Sequence, residues 1–147
     1  MKTTTSATLI HIAISMDGDN VDKRLIRMIT DYWLKEVRNQ NVFNHKNIER
    51  SIAAKNATKK EVTLDHAIPM KVLREKLLTL KKDLTAEKVD GLLQQFCVVM
   101  VITKKENSLL DAKYKSSMPS NWNGVDIYAR YTAVGIKFEN NQTHNLL

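Results

Sequence analysis

The run CVVMVIT, residues 97–103, is the most apolar stretch of the chain and is rich in β-branched residues. A short continuous apolar run of this kind is typical of a strand that is buried on both faces. We therefore predict that 97–103 forms the centre of a small sheet, with EVTL (61–64) as a second short strand. Because the sequence offers few other strands, a second subunit could complete the sheet, and a homodimer is a possible assembly.

The rest of the sequence is dominated by helical patterns. The predicted helices cover 7–16, 21–37, 47–57, 69–82, 83–96, a segment from Thr103, and 126–138. The fold class is α+β, a mostly helical single domain with a small sheet centred on strand 97–103. A length of 147 residues suits one compact domain. Within it we expect a basic helical half (1–60), a mixed α/β part (61–140) and a frayed tail (141–147).

The helix predicted over 21–37 has the clearest periodicity. Asn20 or Asp19 is the expected N-cap, and the basic side chains fall mostly off the apolar stripe. The predicted stripe consists of Val21, Leu25, Met28, Ile29, Tyr32, Trp33 and Val37. Other local signals are Pro69 in the first turn of its helix, Thr85 as an N-cap, and Gly135 as a left-handed helix end. Thr103 and Glu106 have the spacing of a capping box, which begins the helix that follows the central strand.

Several functional classes are disfavoured by what the sequence lacks. Its single cysteine, Cys97, permits no internal disulfide and no cysteine-rich zinc site, which suggests the cytoplasm. No run approaches the ~20 apolar residues that cross a bilayer, so no membrane partner is expected. A Walker loop, a dinucleotide-binding glycine motif, a nucleophile elbow and a zincin motif are all absent.

Charge gives the first indication of function. The net charge is +7, and residues 21–60 hold ten Lys/Arg against four Asp/Glu. A basic half joined to a near-neutral half is typical of a partner for phosphate-rich polymers or for an acidic protein surface. It also suits a lysine-rich surface that keeps a small protein in solution. The residues that we expect to contact nucleic acid are Lys23, Arg24, Arg27, Lys35, Arg38, Lys104, Lys105, Lys113 and Lys115.

The stretch TLDHAIPMK (63–71) places an acid beside an imidazole. The order DHAIP resembles the Asp/Glu-His-x-x-Pro segment around the general base of ββα-metal nucleases, over five residues. The glycine-containing loop and the second histidine of that family have no counterpart between 69 and 90, so the chain is not assigned to that family. In the alternative interpretation, Thr63 or Asp65 caps the helix that begins at Pro69, and His66 packs against a neighbour.

A metal-free nuclease needs a histidine base and cations around an RNA 2′-hydroxyl. Asp65, His66, Lys71, Arg130 and Tyr131 are the candidate catalytic residues for that chemistry. No metal-binding motif is present, so no cofactor is expected, except a divalent metal if the protein proves to be a metal nuclease.

Aromatic residues are concentrated near the loop KSSMPSNWNG (115–124). Trp122 and Tyr128 could stack on bases or form a hot spot for a protein partner. Alternatively, Trp122 and one tyrosine fasten the loop to the domain.

Two functional hypotheses result. The first is a small basic protein that binds nucleic acid or a nucleoprotein, with nuclease activity centred on His66 as a further option. The second is a non-enzymatic inhibitor or adaptor, for example a phage-encoded blocker of a host defence complex that targets nucleic acid.

Overall fold

A computed structural model of the chain describes residues 2–141. The helices are α1 (Thr5–Asp17), α2 (Lys23–Arg38), α3 (Met70–Leu80), α4 (Ala86–Phe96), α5 (Lys104–Lys113) and α6 (Ala129–Val134). The strands are β1 (Val62–His66) and β2 (Val99–Thr103), which pair antiparallel. This confirms the predicted mostly helical α+β domain. All but the first residue of the tail predicted at 141–147 lies outside the described residues.

Strand β2 is buried on both faces, as predicted. Successive strand residues point to opposite faces of a sheet, so β2 contributes to two cores. Val99 and Val101 belong to the larger core, which contains residues of α1, α2, α3 and α4. Met100 and Ile102 belong to a smaller core with residues of α5, α6 and the segment after α6. The two-stranded sheet therefore separates the two cores.

The same chain covers both edges of β2. Strand β1 lies along one edge, with Leu64 opposite Val101. On the other edge, the Val101 N–H donates to the Glu49 carbonyl oxygen at 2.9 Å, and the Ser51 N–H donates to the Val101 carbonyl oxygen at 2.9 Å. A dimer was predicted because the sequence offers few strand partners for β2, but β1 and residues 49–51 of the same chain supply them. A homodimer stays a prediction, now without this reason for it.

Helix α2 buries a different face from the one predicted. Leu25, Met28 and Tyr32 are exposed, whereas the buried positions of α2 are Ile26, Ile29, Thr30, Trp33 and Leu34. Apolar residues of α2 occupy more than half of the circumference of the helix, so the sequence pattern alone does not determine which face is buried. Packing of Ile26 and Leu34 into the larger core distinguishes the buried face, and the Trp33 indole N–H donates to Asp90 Oδ1 on α4 at 3.0 Å. Asp90 also accepts from the Thr4 N–H and hydroxyl, which joins the start of α1 to α4.

The predicted N-cap of α2 was also wrong. The N-cap is Asp22, whose Oδ1 accepts from the Arg24 N–H at 2.8 Å. Two other predicted caps are confirmed: Thr85 caps α4, and Thr103 and Glu106 form the capping box of α5.

Two predicted helices differ from the structure. Residues 47–57 form turns instead of a helix, because this segment makes its hydrogen bonds to the edge of β2. The helix predicted over 126–138 is shortened to α6, since the Asp126 side chain accepts from the Tyr128 N–H and holds a turn. Gly135 ends α6 in the left-handed conformation (φ 82°), as predicted.

None of the helices described within residues 2–141 is both long enough and apolar enough to span a bilayer.

Candidate functional site

A cleft of about 400 Å³ lies at the end of β1, where four of the five candidate catalytic residues meet. Its titratable lining residues come from separate segments and are Arg27, Asp65, His66, Lys71, Asp111, Lys115 and Arg130. Arg27 extends from α2, Lys71 from the first turn of α3, and Lys115 from the segment after α5. The cleft therefore joins candidate catalytic residues to two residues predicted to bind nucleic acid.

Asp65 and His66 do not act as a pair, although they are adjacent in sequence. On a strand, consecutive side chains point to opposite faces, and Asp65 faces the smaller core. There its Oδ2 accepts from Arg130 Nη1 at 3.0 Å and from the Tyr131 hydroxyl at 2.7 Å. Burial raises the pKa of Asp65, against the opposing effect of the Arg130 charge. The prediction that Thr63 or Asp65 caps α3 was wrong, since Pro69 occupies the N-cap position without a side-chain hydrogen bond.

Arg130 and Tyr131 support the cleft from the protein interior. Arg130 is 2% exposed, and its Nη1 also donates to the His66 carbonyl oxygen at 2.7 Å. Its Nε donates to the Tyr114 carbonyl oxygen at 2.9 Å, so one guanidinium connects the end of β1 to the end of α5. Tyr131 is fully buried and does not line the cleft. Both residues therefore position the site, and Tyr131 cannot contact a substrate in the cleft directly.

His66 is the distinctive group of the cleft. Its Nε2 is buried, and no described residue forms a hydrogen bond with it. Burial, together with the positive charges of Arg27 and Arg130, lowers the pKa of His66 to about 4. The imidazole is therefore neutral at pH 7 and keeps a free nitrogen beside cationic side chains.

Three exposed cations line the same cleft as this imidazole: Arg27, Lys71 and Lys115. Asp111 and Ser116 also line the cleft, and sequence analysis identified neither. Nothing in the spacing of Asp111 or Ser116 relates them to His66, because Asp111 lies in the last turn of α5 and Ser116 follows that helix, while His66 ends β1. Only the antiparallel pairing of β1 with β2 brings the two segments together.

The remaining residues predicted to bind nucleic acid divide into two groups. Lys23, Arg24 and Lys35 are exposed on α2, and Lys104, Lys105 and Lys113 are exposed on α5. Arg38 differs, because it is half-buried and its guanidinium lies 5.1 Å from the centroid of the Trp33 ring. It also donates to the Gln94 carbonyl oxygen at 2.9 Å. Arg38 therefore contributes to packing rather than to the solvated basic face in which it was predicted.

A further basic group lies at the opposite end of the sheet from the cleft. Lys59 and Lys60 immediately precede β1, and β1 begins with Val62 paired to Thr103. The register thus brings these two lysines near the start of α5, where Lys104 and Lys105 lie. The sequence contains both KK pairs, but their proximity depends on the strand register.

Trp122 and Tyr128 have partners within the domain. The Trp122 ring makes an edge contact with Phe96 at 6.2 Å between centroids, and its N–H donates to the Asp126 carbonyl oxygen. The Tyr128 hydroxyl donates to Glu49 Oε1 at 3.0 Å, and its ring packs on Phe138. These contacts support the alternative interpretation, in which both residues fasten the loop to the domain. Base stacking by them stays a prediction.

Within residues 2–141, no three His, Cys, Asp or Glu side chains come together as a metal-binding group. Comparison of the chain with protein-family models, with curated proteins and with solved structures found no match. Functional inference for this protein therefore depends on the cleft and on the exposed surfaces.

Proposed function

We propose that this protein binds the phosphate backbone of nucleic acid, with a phosphate in the His66 cleft. The observation that carries the proposal is the convergence of Arg27, Lys71 and Lys115 from three segments of the chain. The charge of Asp65 is engaged by Arg130 and Tyr131. The exposed Asp111 offsets part of the positive charge of Arg27, Lys71 and Lys115. The cleft is still net positive, which favours a phosphate.

Exposed lysines extend this positive surface along α5. Lys113 lies at its C-terminal end near Lys115, and Lys104 and Lys105 lie at its N-terminal end. A ten-residue helix is about 15 Å long, which corresponds to roughly four phosphates along one strand. A continuous strand of nucleic acid could therefore contact the cleft and both ends of α5.

Binding can be measured by fluorescence anisotropy with labelled single-stranded RNA, single-stranded DNA and duplex DNA over a range of salt concentrations. We expect Lys71→Gln and Lys115→Gln each to weaken binding similarly for all sequences and to reduce the log–log salt slope by about 1. Lys82→Gln is a matched control, since Lys82 is exposed and lies outside the cleft. No binding at low salt, or equal effects of all three substitutions, would contradict the proposal.

The unpaired Nε2 of His66 favours cleavage of RNA as an additional activity of the same cleft; because this atom is buried, the imidazole must turn toward the cleft for Nε2 to reach a substrate. Neutral His66 would take the proton of a 2′-hydroxyl, whose oxygen would attack the adjacent phosphorus to form a 2′,3′-cyclic phosphate. The bond from phosphorus to the 5′-oxygen breaks, and the departing 5′-oxygen takes a proton from water. Arg27, Lys71 and Lys115 would stabilise the developing negative charge. A pKa of about 4 makes a weak base, but a phosphate bound nearby would raise that pKa because it stabilises the imidazolium.

Variants of His66 distinguish RNA cleavage from RNA binding. We expect His66→Gln to abolish RNA cleavage while the affinity for RNA changes little, because the three cations remain. His11→Gln controls for a contaminating nuclease, since His11 lies on α1 and is not part of the cleft. Cleavage that survives in His66→Gln would exclude this histidine as the base and would leave the binding proposal intact.

An inhibitor or adaptor is the second candidate function. An exposed apolar surface on α2, on a different face from the cleft residue Arg27, favours it. Co-purification with a protein complex that nuclease treatment does not disrupt would support this candidate over a nucleic-acid binder.

A further inference from the structure

Large apolar side chains are exposed together on α2 and on the loop that follows it. Phe43 is 83% exposed, Met28 63% and Tyr32 57%. Between the helix and the loop lies a cleft of about 270 Å³, which Met28, Tyr32, Val42 and Phe43 line. We call these four residues the Phe43 surface. Exposed apolar side chains scattered singly are ordinary, but a group around a concave surface is typical of a protein-binding site.

Hydrogen bonds hold the loop at 39–47 in one conformation. Asn41 Oδ1 accepts from the N–H groups of Phe43 and Asn44 at 2.8 and 3.1 Å. The Asn41 N–H donates to the Lys46 carbonyl oxygen at 3.2 Å and closes the loop. These bonds order the backbone that carries Phe43, and an ordered backbone loses less conformational freedom when a partner binds, which suits recognition.

The backbone of this loop is also costly to form. Asn39, His45 and Asn47 have φ values of 53°, 64° and 61°, in the left-handed region that non-glycine residues rarely adopt. Each such residue costs free energy that the surrounding hydrogen bonds must offset. The chain thus holds an exposed phenylalanine in a strained, ordered loop, although Phe43 contributes nothing to the core.

Charges around the Phe43 surface identify the kind of partner. Arg24 and Lys35 on α2 and Lys46 in the loop are exposed. The carboxylate that lines the cleft, Asp31, is partly offset by Arg27, and burial raises its pKa. Asp22 also lies beside Arg24, whose Nε is 3.7 Å from Asp22 Oδ1. The three cations still outnumber Asp31 and Asp22, so the rim is net positive. A second copy of this chain would place the same cations opposite one another, so an acidic partner is favoured.

From these observations we propose that the Phe43 surface binds an amphipathic α-helix of a partner protein, with Asp or Glu flanking its apolar face. Met28 and Tyr32 are one helical turn apart, so they form a ridge that matches apolar residues at i and i+4 of a facing helix. Helix binding in an apolar groove is an established mode of peptide recognition. The acidic flanks would pair with Arg24, Lys35 and Lys46.

This proposal does not depend on the proposed nucleic-acid binding. Arg27 and Met28 are consecutive on α2, and consecutive helical residues project about 100° apart. The His66 cleft and the Phe43 surface therefore lie on different sides of the same helix. Arg27 belongs to the cleft, whereas Met28 belongs to the Phe43 surface.

The test is selection of a displayed library of helical peptides on the full chain. In the library, positions i, i+3, i+4 and i+7 vary among apolar residues, and the flanking positions vary among Asp, Glu, Lys and Arg. Counter-selection uses the Met28→Ser/Phe43→Ser variant. Both substitutions are at exposed positions, and circular dichroism and thermal unfolding verify that the variant folds. We expect enrichment of peptides that have acidic flanks.

Enriched peptides are then measured by anisotropy against single variants. We expect Phe43→Ser to weaken binding at least about tenfold, which corresponds to the loss of a hot-spot residue. Lys35→Gln should weaken it about threefold and more at low salt than at high salt, because a rim charge contributes less. Ile12→Ser is the control, since Ile12 is 49% exposed on α1 and lies outside the cleft.

Four outcomes would overturn the proposal. These are equal enrichment on the counter-selection variant, enrichment of basic flanks, self-association in sedimentation velocity that Phe43→Ser abolishes, and loss of RNA binding in Phe43→Ser. The third would identify a second copy as the occupant, and the fourth would identify nucleic acid. Failure of the lysine substitutions in the His66 cleft to affect RNA binding would contradict only the proposed function.

Discussion

Replacement of His66 by glutamine should remove a specific pH dependence of stability. In the folded protein the pKa of His66 is lowered to about 4 from its ordinary 6.5, because the imidazole is buried near Arg27 and Arg130. Below pH 6.5 the unfolded chain therefore binds a proton that the folded protein does not, and stability falls as the pH is lowered from 6.5 to 4. Above pH 7 both states are neutral, so this effect vanishes.

The magnitude follows from the size of the shift. One pKa unit corresponds to 1.36 kcal/mol, so the full effect is about 3 kcal/mol, and at pH 4.5 about 2.5 kcal/mol is lost. Glutamine cannot take up a proton in this range. We therefore expect the free energy of unfolding of wild type to fall by about 2.5 kcal/mol more than that of His66→Gln between pH 7.5 and pH 4.5.

Urea unfolding at the two pH values measures this difference, and the variant serves as the reference for all other titrating groups. NMR titration of the His66 ring protons measures the pKa directly. Parallel pH dependence of the two proteins, or a His66 titration near 6.5, would refute the burial and charge environment on which the cleft argument rests.

Three further predictions concern the support of the site and the fold. Tyr131→Phe removes the hydroxyl that donates to Asp65 at 2.7 Å and should lower the free energy of unfolding by about 2 kcal/mol, measured with urea; an unchanged midpoint would contradict the bond. Gly135→Ala places a β-carbon at φ 82° and should cost about 1 kcal/mol, detectable as a lower Tm; no change would mean that α6 ends differently. Burial raises the pKa of the Cys97 thiol to about 12, so a thiol reagent at pH 8 should react only after unfolding, and fast reaction with the native protein would be inconsistent with its position.

Local patterns predicted the elements near β2 well. The apolar run 97–103 gave β2 and its burial on both faces, and the spacing of Thr103 and Glu106 gave the capping box of α5. Gly135 and Thr85 marked helix boundaries at the expected positions. These features depend on neighbours within a few residues along the chain, which the sequence specifies directly.

Rotation of α2 and the structure of residues 47–57 were not predictable in the same way. Two overlapping apolar stripes on α2 share Ile29 and Trp33, and burial of Ile26 and Leu34 in the larger core selects between them. Trp33, which both stripes contain, bonds to Asp90, 57 positions away in the chain. Residues 47–57 have a helical pattern, but hydrogen bonds to Val101 and Lys137 favour an extended and turned backbone.

For the candidate site, too, some features follow from the sequence and others only from the tertiary structure. By itself the sequence determined that the chain is basic, that its fold is mostly helical around one buried strand, and that His66, Lys71 and Arg130 have side chains suited to phosphate chemistry. Only the tertiary structure separated Asp65 from His66, buried Arg130, and brought Arg27 and Lys115 to the imidazole. The reason is physical: the pleat of a strand sends adjacent side chains to opposite faces, and antiparallel pairing brings together segments that are distant in sequence.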